Sequence, residues 1–247
     1  MTDLTTITLY KGAHKPPPDN CTNPERCLFE AYNWLTRQRH TDACPPGVSP
    51  VLHTYGMNLN DALDDTRRQE LTRYLPNGAD RLASTAHDGR DETRSYIALD
   101  WLTRIYTPAW LDLAGLTAEA ASLRELRRVA DSVAAKAAGP VLRQAREKSD
   151  AAWAAAGAAA WDAAWAAAGA AAGAAARAAA GDAARAAAWD AAWAAAGDAA
   201  RAAAGDAARA AAGDKLAPTV TDLQMSAIAL YDVLISGEWP EEVITVP

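Results

Sequence analysis

From Glu25 onward the apolar residues recur at intervals of three and four, the spacing of one face of an α-helix. Leu28, Ala31, Trp34 and Leu35 form the first such face. After the breaker "ACPPGVSP", Val51–Met57 predicts a short helix. "NLNDALDDTRRQELTRYLP" then predicts an N-cap at Asp64 or Asp65 and a helix to Tyr74, ahead of Pro76. "AHDGRDETRSYIALDWLTRIYTP" repeats that grammar. Asp88-Gly89 turns, Asp91 caps, and Ile97, Trp101 and Ile105 line one side of a helix that Leu102 and Tyr106 widen. Thr107-Pro108 opens another, "PAWLDLA", with Gly115 just past its end. Thr117 caps a helix whose stripe of Leu123, Leu126, Val129 and Val133 runs toward a break at Gly139-Pro140. Ahead of these elements, Ile7 and Leu9 alternate with polar residues as in one short strand, and "HKPPPDN" reads as a stiff turn.

Between Ala151 and Ala212 the pattern changes: alanine fills the chain, and every fourth position from Trp153 to Gly213 is Trp, Gly or Arg. Where Asp occurs here, it follows such a position directly, as in Trp161-Asp162 and Gly181-Asp182. Capped mini-helices are excluded, because Trp takes the same slot as Gly and cannot assume a positive φ cheaply. A continuous Ala-rich helix or helical hairpin is the expectation, alanine being the best helix former. Each four-residue step advances the slot by about 40°, so the pattern spirals rather than forming a heptad seam. The same drift argues against a planar ice-binding face. On an ideal helix Trp153, Trp161, Trp165, Trp189 and Trp193 fall within an arc of about 120°, a candidate partner-binding face. Trp, Gly and Arg share codons ending in GG, which points to a repeat whose first codon base has drifted. Beyond it, Val220, Leu223, Ala227, Leu230 and Leu234 mark a last helix, which Gly237 ends.

Composition narrows the function classes. Half the residues are apolar, but alanine inflates that figure, and a conventional core is available only from roughly residues 25–142 and 216–236. A net charge of −7 without a Lys/Arg cluster argues against sequence-independent nucleic-acid binding. No readable signal peptide, no strongly apolar span and an odd cysteine count of 3 make a cytoplasmic location with reduced thiols the expectation.

Candidate chemistry concentrates in the N-terminal third, at His14, Cys27, Glu30, His40, Asp42 and Cys44. His14, Cys27, His40 and Cys44 are candidate ligands for a zinc ion, with His40-x3-Cys44 on one side of a turn. No paired Cys-x2-Cys spacing supports them, and a Cys27–Cys44 contact or disulfide, or ordinary buried thiols, fit the same residues. A catalytic Cys27 with His14 or His40 as base is a further reading. Ser84, His87, Asp88 and Asp91 mimic a compressed triad, but capping accounts for the acids. Asp61, Asp64 and Asp65 belong mostly to capping as well.

Several phrases carry a resemblance: "KGAH", "CLFEA", Asp42-x-Cys44 followed by "SPV", "LND", "SYIALDWLTRIYTPAWLDLAGL" and "LAPTVTDLQMSAIALYDVLI". Together they resemble a family of uncharacterised actinobacterial and actinophage proteins with a C-terminal Ala-rich repeat. The likeness implies an origin and no mechanism, since that family carries no assigned activity. Its motif residues fall here on His14, Cys27, Glu30, Asp42, Cys44, Asn60, Asp61, Asp100, Trp101 and Trp110.

The expected architecture is all-α: an extended arm over 1–20, a helical domain over 21–139, the repeat over 140–214, a helix over 215–236 docking back on the domain, and a tail over 237–247. The expected function is a non-enzymatic structural or interaction protein whose Ala/Trp rod binds itself or another helical protein. The alternative is a small metal- or Cys-dependent activity around Cys27, His40 and Cys44.

Overall fold

A computed structural model describes residues 7–15, 25–36, 40–76, 80–151 and 216–241. The arc of Trp153, Trp161, Trp165, Trp189 and Trp193 lies outside the described residues. The protein is all-α, and no strand occurs among the described residues.

Helix α1 (Leu28–Leu35) starts where Glu30, its third residue, accepts the backbone N–H of Cys27 at 2.8 Å, one half of a capping box. It buries Leu28, Phe29, Ala31 and Tyr32. Trp34, expected on that face, is instead 40% exposed, with the Arg26 guanidinium 4.0 Å over its ring. Helix α2 (Pro50–Ala62) outruns the expected Val51–Met57, because Ser49 caps it and Pro50 occupies its first turn. Asp64 is the N-cap of α3 (Asp65–Arg68), which tightens into a 3₁₀ helix over Gln69–Tyr74.

Helix α4 (Asp91–Trp101) runs through a π turn (Leu102–Tyr106) into α5 (Thr107–Leu113). Pro108 has no N–H for the carbonyl four residues earlier. The ladder slips instead, and the Thr107 N–H reaches the carbonyl of Leu102. Two expected caps shift: Arg90 and Leu116 hold the cap positions, while Asp91 and Thr117 are the first helical residues.

The stripe from Leu123 to Val133 is not one helix. Helix α6 (Thr117–Arg124) ends early, because α4 takes up the backbone that follows it. Asp100 Oδ1 accepts the Val129 N–H at 2.8 Å, and Arg104 Nη1 donates to the Leu126 carbonyl at 3.1 Å. Val129 is buried, whereas Val133 is 74% exposed. A new helix, α7, begins at residue 132 with Asp131 Oδ1 accepting the Ala134 N–H, and is continuous to residue 151. Gly139-Pro140 therefore lies inside a helix rather than separating two. Pro140 and Lys136, whose carbonyl the proline leaves without an N–H, are both exposed, so water can serve that carbonyl.

Helix α8, residues 216–236, is the centre of the main core. Ile228, Leu230, Tyr231 and Leu234 pack with Leu9, Phe29, Leu52, Leu71, Tyr74 and Ile97, so the last helix docks back on the N-terminal domain as expected. A smaller cluster of Leu111, Ala120, Leu123 and Ala145 joins α5, α6 and α7. Among the described residues, no helix is long and apolar enough to cross a membrane.

Tyr231 fits because position 56 has no side chain. A Cβ on Gly56 would lie 2.6 Å from the Tyr231 hydroxyl oxygen and 2.9 Å from Phe29 Cε2. Gly56→Ala gains up to about 1 kcal/mol of helix propensity, but the clash falls on two buried rings. The expected outcome is a net loss of about 1–2 kcal/mol, since overpacking costs about 1–3. Urea unfolding monitored by far-UV circular dichroism measures it, and an unchanged midpoint would refute this account of the notch.

Candidate functional site

Among the described residues, nothing pairs with the arm over residues 7–15 as a strand would. Side-chain amides and carboxylates from the helices serve its backbone instead. Gln69 closes on Leu9 from both sides, accepting its N–H at 2.8 Å and donating to its carbonyl at 3.0 Å. Asn60, fully buried, donates to the Tyr10 carbonyl at 2.9 Å and accepts the Leu28 N–H at 3.2 Å. Asp61 Oδ1 accepts the Gly12 N–H at 2.8 Å, and the Tyr10 N–H reaches the Arg26 carbonyl at 2.8 Å. The alternation of Ile7 and Leu9 reflects this half-buried course, with Leu9 1% exposed.

Glu30 anchors the end of the arm. Its carboxylate, 1% exposed as a residue, accepts the His14 N–H at 2.6 Å, the His14 Nδ1–H at 2.9 Å and the Cys27 N–H at 2.8 Å. Burial pushes the Glu30 carboxyl up, but the two backbone donors and the His14 ring outweigh it and hold the group below its ordinary 4.5. His40 Nε2 stands 3.3 Å from the His14 carbonyl and 3.8 Å from Glu30 Oε1. Both neighbours are acceptors, so Nε2 carries a proton.

The fold therefore brings His14, Cys27, Glu30 and His40 together and leaves Cys44 apart. The Cys44 thiol is directed at the Val48 carbonyl, 3.4 Å from its sulfur. Cys27 and Cys44 are both free thiols, so the expected pairing between them is not formed. Among the described residues, no group of three or more His, Cys, Asp or Glu side chains is placed to hold a metal ion. The candidate zinc ligands His14, Cys27, His40 and Cys44 are not placed as a coordination set; His14 Nδ1 meets Glu30 and His40 Nε2 the His14 carbonyl instead. Asp42 contributes its carbonyl, which faces His53 Nε2 at 2.7 Å.

A carboxylate holding Nδ1–H is how an imidazole is oriented for proton transfer. His14 has that arrangement, with its Nε2 3.9 Å from Glu25. The thiol beside it does not match: burial, opposed in part by the Glu30 N–H, pushes Cys27 up to about 12. A thiol that stays protonated at neutral pH is not an activated nucleophile.

Among Ser84, His87, Asp88 and Asp91, the chemistry belongs to a residue the sequence reading passed over. Arg94, 0% exposed, pairs with Asp88 through both terminal nitrogens at 2.5 and 2.8 Å and with Asp91 at 3.0 Å. Its Nε donates to the Leu234 carbonyl in the last turn of α8 at 2.8 Å. Arg94 falls on a polar stretch of α4, and only the two acids before it, in Asp88-x2-Asp91-x2-Arg94, signalled its role.

No family model, no curated protein and no solved structure matches the chain.

Glu30→Gln should weaken the pinned arm by about 1.5–3 kcal/mol, the range for a hydrogen bond to a charged group. The lowered folded-state pKa of Glu30 makes its contribution present above 4.5 and lost as pH falls below it. Denaturation midpoints from pH 7 to pH 3 should therefore fall less steeply for Glu30→Gln than for the unaltered chain. Parallel pH profiles would show that Glu30 carries no ionic role.

Proposed function

We propose that the protein is a non-enzymatic interaction protein: a helical head that grips both ends of the Ala-rich segment and presents it for self-association. The observation that carries this reading is where the segment's two flanks go. On one side α7 is fastened through Ala145 to Leu111, Ala120 and Leu123. On the other, α8 supplies Leu230, Tyr231 and Leu234 to the main core. A head built around both flanks treats the segment between them as an insertion to be displayed. Alanine with five recurrent tryptophans, Trp153, Trp161, Trp165, Trp189 and Trp193, is chemically an association surface. The chemistry around Glu30 supports the same reading, because its carboxylate is spent on holding the arm.

Multi-angle light scattering across a concentration series tests the proposal. The full chain should populate an oligomer, and replacing the five repeat tryptophans by alanine should shift it toward monomer with the head's unfolding midpoint unchanged. A strict monomer at every concentration would overturn it.

The alternative, a Cys-dependent activity at Cys27, makes a different prediction. At pH 8 iodoacetamide should label Cys44, the exposed thiol, well before Cys27, which should react only once the chain is unfolded. Rapid labelling of Cys27 in the folded chain, read by peptide mass spectrometry, would favour the enzyme.

A further inference from the structure

The stripe Ile97, Trp101 and Ile105 on α4 and its π turn packs on the α8 core through Ile97 and Trp101 and also meets the tail that follows α8. Together with Asp100, Arg104 and Arg128 it lines a small cleft whose remaining wall is the chain's own tail, Trp239-Pro240. The tail leaves α8 at Gly237, whose φ is +64 and whose N–H closes on the Val233 and Leu234 carbonyls. Arg90 then holds both the Ser236 carbonyl and, at 3.3 Å, the Glu238 carboxylate. The Arg128 guanidinium lies 5.2 Å from the centre of the Trp239 ring, and its Nη2 donates to the Pro240 carbonyl at 3.0 Å. With the tail in place, the space left among these residues is about 20 Å³, room for about one water.

Those contacts have the form of peptide recognition. A half-buried aromatic packs against the core beside Ile97 and Trp101, a cation lies over its ring, and the same arginine reads the next backbone carbonyl. Charge completes the match. Asp100 is taken up by Arg104 at 3.0 Å and by the Val129 N–H, while Arg128 and Arg90 meet a tail that carries Glu238 and Glu241.

We propose that this cleft is a recognition site for a Trp-Pro segment flanked by acidic residues, filled in cis by the chain's own tail and accessible in trans to the tail of a second copy. A short tether gives the cis tail an effective concentration of about millimolar. A second tail therefore competes only where assembly raises local concentration to that range, and in this the trans exchange rests on the self-association reading. The cleft's specificity does not, and it is measurable alone.

The experiment uses the full chain and a fluorescein-labelled peptide of residues 236–241, SGEWPE, followed by fluorescence anisotropy. The unaltered chain should bind it weakly. Trp239→Ala, which empties the cleft, should bind it about tenfold tighter. Adding Arg128→Ala to that variant should cost about fivefold, and a peptide with alanine in place of its tryptophan should not bind. Should Trp239→Ala disturb the head, Gly237→Ala opens the cleft by another route. Its Cβ would meet Arg90 Cδ at 2.6 Å at a φ of +64, straining the turn into the tail while leaving Ile97, Trp101 and Arg128 untouched. A folded Trp239→Ala or Gly237→Ala chain that binds no better than the unaltered one overturns the proposal, as does a gain indifferent to Arg128. Light scattering on the same samples reports self-association separately, so either reading can fail while the other stands.

Discussion

Everything in the head depends on the insertion of α8 between helices that precede it by more than a hundred residues. Tyr231 is the pivot. Its ring lies 4.8 Å from that of Tyr74 and 5.6 Å from that of Tyr55, and its hydroxyl donates to the Leu52 carbonyl at 3.1 Å. The surrounding groups reach back: the Tyr55 hydroxyl donates to the Ala227 carbonyl at 3.0 Å, and Trp101 Nε1 donates to Ser226 Oγ at 2.8 Å. A core formed this way has no centre until the end of the chain arrives. The N-terminal helices alone would leave Phe29, Leu52 and Tyr74 without their main apolar neighbours, a large loss at roughly 25 cal/mol per Å² of apolar surface.

The arm shows a second constraint of the same kind. An extended segment that buries Leu9 must satisfy its backbone without a sheet. Asn60, Asp61, Gln69 and Glu30 do so by presenting amide and carboxylate groups where a neighbouring strand would have offered peptide groups. This changes the meaning of the motif residues. His14 and Glu30 offer candidate chemistry, but here the Glu30 carboxylate holds the backbone and ring of His14, while Asn60 and Asp61 serve the backbone of Tyr10 and Gly12. Asp100 acts likewise on Val129, and Trp101 ties α4 to α8.

The helical elements were legible where their signals are local: Asp64 and Gly115 mark boundaries through their own chemistry. What misled were signals whose partner is distant. Ile7 and Leu9 alternate as a strand does, but the alternation reports half-burial and says nothing of what pairs with the backbone. The stripe from Leu123 to Val133 has helical spacing, yet Asp100 and Arg104 draw the backbone between them out of the helix. Gly139-Pro140 looks like a break, but a solvent-exposed stretch of α7 tolerates it. At the candidate site, the grouping of His14, Cys27, Glu30 and His40 was legible while its use was not. Spacing in sequence does not reveal that Glu30 faces inward and accepts hydrogen bonds from its neighbours. Arg94 was missed because a buried arginine looks like a surface one until its acids are placed around it.

Closure by α8 also bears on the Ala-rich segment. Any change in its length must still deliver residue 216 to the same place in the core. Treated as a flexible connection, a longer segment costs little, about 0.6 kcal/mol for each doubling of length. On the helical reading, each added four-residue unit advances the chain by about 6 Å and rotates it by about 40°, so return to the head sets a much stricter condition. The two cases assign the head different tasks. A flexible connection needs only an anchor, which Leu230, Tyr231 and Leu234 provide. A helical one also needs its direction fixed on both sides, and the structure has a device on each: the Ala145 contact with Leu111 and Leu123 for α7, and for α8 the Gln224 amide on the Ala62 carbonyl at 3.0 Å. On the rod reading proposed above, these two contacts would aim the flanks, whereas a loose loop would need only the anchor.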